Sequence, residues 1–525
     1  MHARLCSSLE PLEARIAPAA MITVTASGGS VKIVGDDAAN DIKIQIISPG
    51  VLDLSTTNST FSFNGVTGPS ATVEFGKDIS VALGGGADTI ELVANAYYGN
   101  ITLDGGSGSN AFKFTGGSAF VIPGSVKLLA KDGADTVSFN VPGKDFQVGR
   151  DFLVALGDGG VTTSAFALGR FLIGGKLTLN GGKGSEQLAW NPTSDIAIGG
   201  DVTIATGDGL DQISLKAGGD MGLTGKLTIK AGKANNLPAA PSIFASNYTV
   251  GATDEMTVRG AVSASSVAGE TFFLLGGTNS SEYAGGLSVK GGKGLNHLTL
   301  AGTNQTYLGK VSVATGGPAT FTMKPTGGFF FGGDFSYKGG GSGDIFDLEG
   351  NGIITGKVSV DLGDGATQSL TFTGAGAAIT VFGDASFKQG AKTGTSSTVI
   401  SGLQGKSFAL TTGGAVDNIQ LDDFIVRFAT TISTGAGADN LQIERSGAGS
   451  PSFFGSSFKV ALGDGDDTAL IGVNGNTNSR IILGPQTVGL IDGGKGTADV
   501  LFGFDTATGA ATNGNLGMVT VVGFA

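Results

Sequence analysis

Residues 201–217, DVTIATGDGLDQISLKA, alternate apolar and polar positions on both sides of a glycine-rich turn. Val202 and Ile204 before the turn, and Ile213 and Leu215 after it, share one face, while Thr203, Ala205, Ser214 and Lys216 share the other. A period of two marks a half-buried strand, because successive side chains of an extended backbone point to opposite faces. A helix would need apolar residues at i, i+3 and i+4 over ten or more positions, and no stretch after residue 20 shows that pattern. Short strands running into and out of glycine corners are therefore predicted for the body of the chain.

The unit recurs. GGKGSEQLAW (181–190), TGDGLDQISL (206–215), GGKGLNHLTL (291–300), TGAGADNLQI (434–443) and LGDGDDTALI (462–471) share the template Gly-x-Gly-x-(Asp/Asn/Glu)-x-aliphatic. With the acidic or amide slot as marker, Asp88 to Asn110 is 22 residues, and Asn110 to Asp135, Glu186 to Asp211 and Asp211 to Asn236 are each 25. Such a period holds two or three short strands and their turns, one circuit of a parallel β-helix whose inward face is buried on the next circuit. The expected fold is all-β, a right-handed parallel β-helix (solenoid) with about 25 residues per coil and about 20 coils. At roughly 4.8 Å per coil the rod would be about 95 Å long. Residues 21–525 are expected to form this single repeat domain behind a distinct tail at 1–20. The stretch 236–296 spans 60 residues rather than two periods, so an insertion is expected there, with loops suited to a partner.

Composition sharpens the picture. Glycine is 93 of 525 residues against 13 prolines, which excludes collagen and proline-rich disorder. Apolar residues at 40% with charged residues at 14% exclude a disordered chain. A net charge of −12 disfavours nucleic acid and anionic membrane surfaces as partners. Cys6 is the only cysteine, so neither an intramolecular disulfide nor a CxxC zinc site can form. No run approaches the roughly 18 apolar residues of a membrane-spanning helix. The 32 phenylalanines, including Phe329-Phe330-Phe331, Phe453-Phe454, Phe382 and Phe387, are expected to stack coil on coil inside, as is the single tryptophan, Trp190. One of the triple Phe is expected to point outward or to mark a bend, since neighbours on a strand face opposite ways.

GGGADTIEL (84–92), GDGLDQISL (207–215), GAGADNLQI (435–443) and GDGDDTALI (463–471) resemble the hemolysin-type (RTX) calcium-binding repeat, Gly-Gly-x-Gly-x-Asp-x-aliphatic-x. The resemblance implies Ca²⁺ held between coils by turn carbonyls and the Asp carboxylate, in the oxygen-rich shell that calcium takes. Carried over position by position, it makes Asp88, Asp135, Asp211, Asp344, Asp439 and Asp467 the metal carboxylates, with further oxygens from Asp208, Asp464 and Asp466. The pattern departs from the family in two ways. KAGGDMGLT follows GDGLDQISL, so only one corner per coil fits, and the slot is neutral at Asn110, Asn236 and Asn296, a hydroxyl at Thr367 and apolar at Val161. A stacked, hydrogen-bonded ladder without an ion is the alternative for these corners. The Asp-dense LGDGDDTALIG is the best individual metal site.

SLEPLEARIAPAA (8–20) resembles the LEPR-XLL-type N-terminal motif of repetitive bacterial surface or secreted proteins of the planctomycete and verrucomicrobial kind. Leu9-Glu10-Pro11 is in place, the arginine is displaced to Arg15, and Ile16 stands in the aliphatic part. The resemblance implies export or surface sorting, while the apolar core of an ordinary signal peptide is absent.

Parallel β-helices also carry polysaccharide lyases and glycosidases, and sugar hydrolysis needs two carboxylates about 5–9.5 Å apart. Asp417, Asp422 and Asp423 with Asp439, and Asp36-Asp37 with Asp41, are the candidates. The recurring corner already accounts for an Asp, and the surrounding Arg, Lys and aromatic residues are sparse. His297 is the only realistic triad histidine and falls in an outward strand slot, and GLQGKSF (402–408) has Ile400 where a P-loop needs glycine. The expected function is a non-catalytic extracellular or cell-surface structural or adhesion-type repeat protein, with Ca²⁺ at some corners and envelope or matrix polysaccharide or protein as partner. The alternative is a polysaccharide-active enzyme, a lyase or glycosidase, on the same scaffold.

Overall fold

The computed structural model describes residues 20–166, 168–233, 246–341, 343–376, 378–390, 392–444, 451–472, 481–484, 487–503 and 519–524. His2, Cys6, the motif residues Leu9 to Ile16, Asn236 and the LPAAPS stretch lie outside them.

Strands Val202–Ala205, Gln212–Ala217 and Met221–Leu223 trace one turn, and the next strand, Leu227–Lys230, returns to lie parallel on the first, with Val202 opposite Leu227 and Ile204 opposite Ile229. Gln212–Ala217 sits between Glu186–Trp190 and Ser246–Ala252, and Met221–Leu223 between Ile196–Ile198 and Glu255–Val258. Repetition of this unit gives a parallel β-solenoid of about 15 turns, roughly 25 residues apart, with no helix among the described residues. At about 4.8 Å per turn the stack is about 70 Å long. No helix of the described residues is long and apolar enough to cross a membrane.

The shortfall from 20 coils has two causes. The first is a hairpin cap. Ala20–Ser27 pairs antiparallel with Ser30–Val34, Ser59–Phe63 with Val66–Gly68, and Val51–Ser55 with both Asp41–Ser48 and Ser70–Glu74. The tight turns Gly28-Gly29 (φ +59° and +86°) and Asn64-Gly65 (φ +52° and +78°) hold the left-handed pair of conformations that a two-residue hairpin requires. Within the cap Ala20–Ser27 also pairs parallel with Ser59–Phe63, and the regular parallel stack continues from it where Ser30–Val34 meets Ile79–Ala82 and Asp41–Ser48 meets Thr89–Val93. Residues 20–75 therefore cap the solenoid's first edge, protecting its unpaired amides and carbonyls, and add no coils of their own. The second cause is long coils: successive slots are 35 residues apart at Asp211 and Ser246, 28 at Asp439 and Asp467, and 32 at Asp467 and Asp499.

The core follows the alternation. Val202, Ile204, Ile213 and Leu215 are buried, whereas Thr203, Ala205 and Ser214 are half-buried on the outside and Lys216 is exposed. Trp190, opposite Leu215, is buried and stacks on Phe152 with ring centroids 5.6 Å apart. Phe114 and Phe139 stack coil on coil at 4.7 Å. Phe329 and Phe331 point in and Phe330 out. Phe387 and Phe454 are core residues, but Phe453 takes the outward slot, and Phe382 is 65% exposed rather than inside. Both follow from register, since each directly adjoins an inward residue, Phe454 and Val381.

Candidate functional site: a buried carboxyl ladder at the glycine corner

The corner between the first and second strands of each turn is built on close contact of backbones. A Cβ placed on Gly463 or Gly465 would fall inside the carbonyl oxygens of Gly435 and Gly437 one coil earlier, and both glycines have positive φ (+99° and +142°). Only glycine permits both the approach and the conformation. The Gly435 carbonyl then accepts the Asp464 N–H (2.9 Å), and that of Gly463 accepts the Lys495 N–H (2.9 Å).

Two residues past these glycines the slot side chain turns inward. Asp88, Asp135, Asp211, Asp344, Asp439 and Asp467 are all at most 2% exposed. Each Oδ1 accepts the slot backbone N–H of the preceding coil: Asp88 from Asn40 (2.7 Å), Asp135 from Asn110 (2.9 Å), Asp211 from Glu186 (3.2 Å), Asp344 from Ala319 (2.8 Å), Asp439 from Asp417 (3.0 Å) and Asp467 from Asp439 (2.8 Å). The second oxygens differ. Asp211 Oδ2 accepts from the Tyr248 hydroxyl (2.8 Å) and Asp344 Oδ2 from the Gly341 N–H (3.2 Å). Oδ2 of Asp88, Asp135, Asp439 and Asp467 is buried with no hydrogen-bond partner among the described residues. Burial pushes Asp88, Asp135 and Asp467 up to about 6, and burial reinforced by repulsion from Asp417 and Asp467 takes Asp439 up to about 7.

The remaining expected oxygens lie elsewhere. Asp464 and Asp466 are exposed. Asp464 faces Lys495 Nζ at 3.9 Å, and Asp466 Oδ1 accepts from the Thr497 N–H (3.0 Å), the Thr497 hydroxyl (3.1 Å) and the Ala498 N–H (3.1 Å). Asp208 Oδ1 accepts the Lys233 N–H (3.0 Å). The structure thus separates inward Asp467 from outward Asp464 and Asp466, although LGDGDDTALIG places them side by side in sequence. Among the described residues no three His, Cys, Asp or Glu side chains gather in a group that could hold a metal ion.

No family model, curated protein or solved structure matches this chain.

Three further acids belong to the ladder. Glu186 occupies the slot below Asp211 and is held well above the ordinary carboxyl range by burial and by Asp211 beside it. Asp417 and Asp499 extend the C-terminal run, so that Asp417, Asp439, Asp467 and Asp499 stack on successive coils. Asp499 is visible in sequence only if GGKGTADV is read as the same corner with one residue added. Two slots move from where the spacing put them. The partner of Asp211 is Ser246, whose Oγ accepts the Asp211 N–H (3.1 Å), so the insertion falls between these residues and two regular periods follow to Asn296. The buried slot near Thr367 is Gln368, with Thr367 exposed beside it.

Asn residues show what closes the corner. Asn110 Nδ2 donates to the Gly108 carbonyl (2.8 Å), Asn296 Nδ2 to that of Gly294 (2.7 Å), and Asn40 Nδ2 to that of Ala38 (2.6 Å). A carboxyl in the same slot can make that bond only when it carries a proton.

The candidate catalytic carboxylates are engaged in structural bonds. Asp417 is a ladder member and accepts from the Ser396 hydroxyl. Asp422 is buried and accepts from Gln420 Nε2 (2.7 Å). Asp423 is half-buried with φ +59°, and its N–H donates to Glu444 (2.7 Å). Asp36 accepts the Met21 N–H (2.9 Å), and Asp41 holds the turn of Thr56, Thr57 and Asn58 together. His297 faces outward but is half-buried, its ring stacked on Phe272 at 4.1 Å, and Nε2 lies 3.5 Å from Glu270. Gly405-Lys406-Ser407 lies within the strand Leu403–Thr411.

Proposed function

We propose that the chain is a non-catalytic structural or adhesion-type rod acting outside the cell or on its surface. The observation that carries the reading is the use of the acidic corners: the carboxylates that a sugar-cleaving site would present to solvent are turned inward and hold successive coils together. Cross-coil ion pairs treat the outer charges in the same way, as in Arg170 with Asp145 (2.6 Å) and Lys183 with Asp158 (3.1 Å). A stiff stack with repeated side chains on each face suits multivalent, individually weak attachment to envelope or matrix polymers. The test is fractionation of the producing cells together with a glycan-turnover panel. Recovery with envelope or matrix and no turnover is expected, whereas turnover abolished by Asp417→Asn favours the enzyme alternative and overturns the proposal.

Calcium at some corners is the second part of the proposal. The unpartnered Oδ2 atoms of Asp88, Asp135, Asp439 and Asp467 support it, because a buried row of oxygens calls for either protons or a hard cation. A melting temperature that rises with millimolar Ca²⁺ and falls again with chelator is expected; an unchanged melt removes this part alone.

A further inference from the structure

Among the described residues, only two phenylalanines are strongly exposed, Phe382 at 65% and Phe428 at 51%, and both line one cavity of about 240 Å³ with Gln404, Lys406, Ile425 and Arg427. The cavity sits at the corner that follows the third strand of each turn. Phe331, Ile354, Val381, Gly405, Val426, Phe454 and Leu483 stack in register as the last inward residues before that corner. The residues that follow them are Gly332, Thr355, Phe382, Lys406, Arg427, Gly455 and Gly484. Three consecutive coils therefore replace small corner residues with an aromatic ring and two cations, and Phe428 completes the set.

The backbone is altered at the same place. Ladder register shifts between Val381 and Asp384 against Gly405 and Ser407, so Phe382 and Gly383 together face the single residue Lys406. Such a bulge re-aims side chains and is a recurrent feature beside binding sites. Here it accompanies the turning of the Phe382 ring into solvent. Lys406 Nζ is 4.0 Å from Asp384, which also faces Lys357 Nζ at 3.9 Å, and exposed Arg427 forms no ion pair among the described residues. The corner is locally cationic on a chain of net charge −12.

We infer that this pocket is a binding subsite for an anionic sugar residue of an extended polysaccharide, which rests on the adhesion reading and gives its partner a chemistry. Phe382 and Phe428, two coils or about 10 Å apart along the axis, present apolar surface to the C–H faces of sugar rings. Lys406 and Arg427 between them take the carboxylate or sulfate, Arg427 in the planar fork suited to either anion. A neutral glycan would leave Arg427 unanswered. An acidic peptide would answer the cations, but it has little to lay flat on two exposed rings. The acidic remainder of the surface repels a polyanion and leaves this corner as its place of approach.

The test uses the full chain in affinity electrophoresis with polygalacturonate, dextran sulfate, neutral dextran and polyglutamate. Retardation by both anionic polysaccharides, weakened by added salt and absent with dextran, is expected. Arg427→Ala and the double variant Phe382→Ala/Phe428→Ala should each weaken it about tenfold or more, the size of one lost charged or stacking contact. Lys392→Ala, which removes an exposed cation paired with Asp364, should leave it unchanged. These side chains are exposed, so the variants keep the fold, as far-ultraviolet circular dichroism will show. Absence of retardation overturns the inference, as does retardation that survives loss of both rings, or equal binding of polyglutamate, which would make the corner an acidic-peptide site. Electron microscopy of the same samples separates the two levels: intact rods that fail to bind sink only this inference, whereas particles that are not rods sink the reading beneath it.

Discussion

Asp439→Asn replaces the most perturbed Asp of the corner row by its neutral isostere. In the fold this carboxyl titrates at about 7 against a reference of 3.8, because burial disfavours the anion and Asp417 and Asp467 on the flanking coils repel it. A folded value above the unfolded one means that the protonated form is favoured. The stabilisation is therefore complete below about pH 3.8 and is lost as pH rises through about 7. At 1.36 kcal/mol per pH interval, ionising Asp439 above pH 7 weakens the fold by about 4 kcal/mol. That is an upper value, because the two neighbouring carboxyls share the relief when one is neutralised. The substituted amide keeps an Oδ1 to accept the Asp417 N–H (3.0 Å in the wild type) and adds the Nδ2 donor that Asn110 and Asn296 use to close their corners.

Solenoids open in segments rather than all at once, so the assay is hydrogen exchange at the backbone amides of residues 417 and 439, corrected for intrinsic exchange and run in chelator. Near pH 4 the variant and wild type should be alike. By pH 8 the variant should be better protected, by up to about 4 kcal/mol of local opening free energy. Equal protection across the range, or a less protected variant at pH 8, would refute the argument that these corners hold neutral carboxyls. Millimolar Ca²⁺ distinguishes the cation from the proton: if the ladder takes calcium, wild type regains protection at pH 8 and the variant does not.

Gly463→Ala should lower stability by about 1–3 kcal/mol from backbone strain alone, because φ is +99° and the Gly435 carbonyl occupies the space for a Cβ. Gly117→Ala, with open space around its Cα and no positive φ, should be near neutral in the same melts. Trp190→Ala should destabilise by about 3–5 kcal/mol through loss of the ring stacked on Phe152, and wild-type Trp190 fluorescence should be blue-shifted and resistant to an aqueous quencher. His297 should titrate below 6.5 by NMR, because burial against Phe272 outweighs the pull of Glu270. A value at or above 6.5 would show that the ion pair prevails.

The parts of the fold that sequence made legible are those where a two-residue period and a burial requirement coincide. Val202, Ile204, Ile213 and Leu215 face inward because a one-residue slip would place all of them in solvent. The slot keeps that period, since Asp211 precedes inward Ile213 by two residues and is buried with it while Gln212 between them is exposed; the resemblance to calcium repeats supplied a role without a direction. Asn236 matched the spacing of 25, but register is set by Tyr248 and Ser246 bonding to Asp211, a pairing visible only across coils. The hairpin cap did have a sequence signal, in Gly28-Gly29 and Asn64-Gly65, which repeat spacing alone does not reveal. The Phe382 pocket had none, because its residues lie on three coils and one sits in a bulge.

A common demand explains why Asp, Asn, Glu, Ser, Ala and Val all occur in the slot. Its backbone N–H is buried and must find an acceptor in the next coil. In some coils that acceptor is main chain: Val161 donates to the Ser185 carbonyl (3.3 Å), Ser246 to Glu270 (3.0 Å), Thr271 to Leu295 (3.0 Å) and Asn296 to Pro318 (2.9 Å). In nine others among the described residues a side-chain oxygen takes the N–H, from Asp for Asn40, Asn110, Glu186, Ala319, Asp417, Asp439 and Asp467, from Asn110 for Asp88 and from Ser246 for Asp211. One oxygen suffices for this purpose, and Ser has only one. The second oxygen of an Asp is the surplus that leaves Asp88, Asp135, Asp439 and Asp467 with an unpartnered atom in the core. The ladder itself therefore asks for an acceptor and not for a charge, and whatever completes the surplus oxygen, proton or cation, decides how these coils respond to their surroundings.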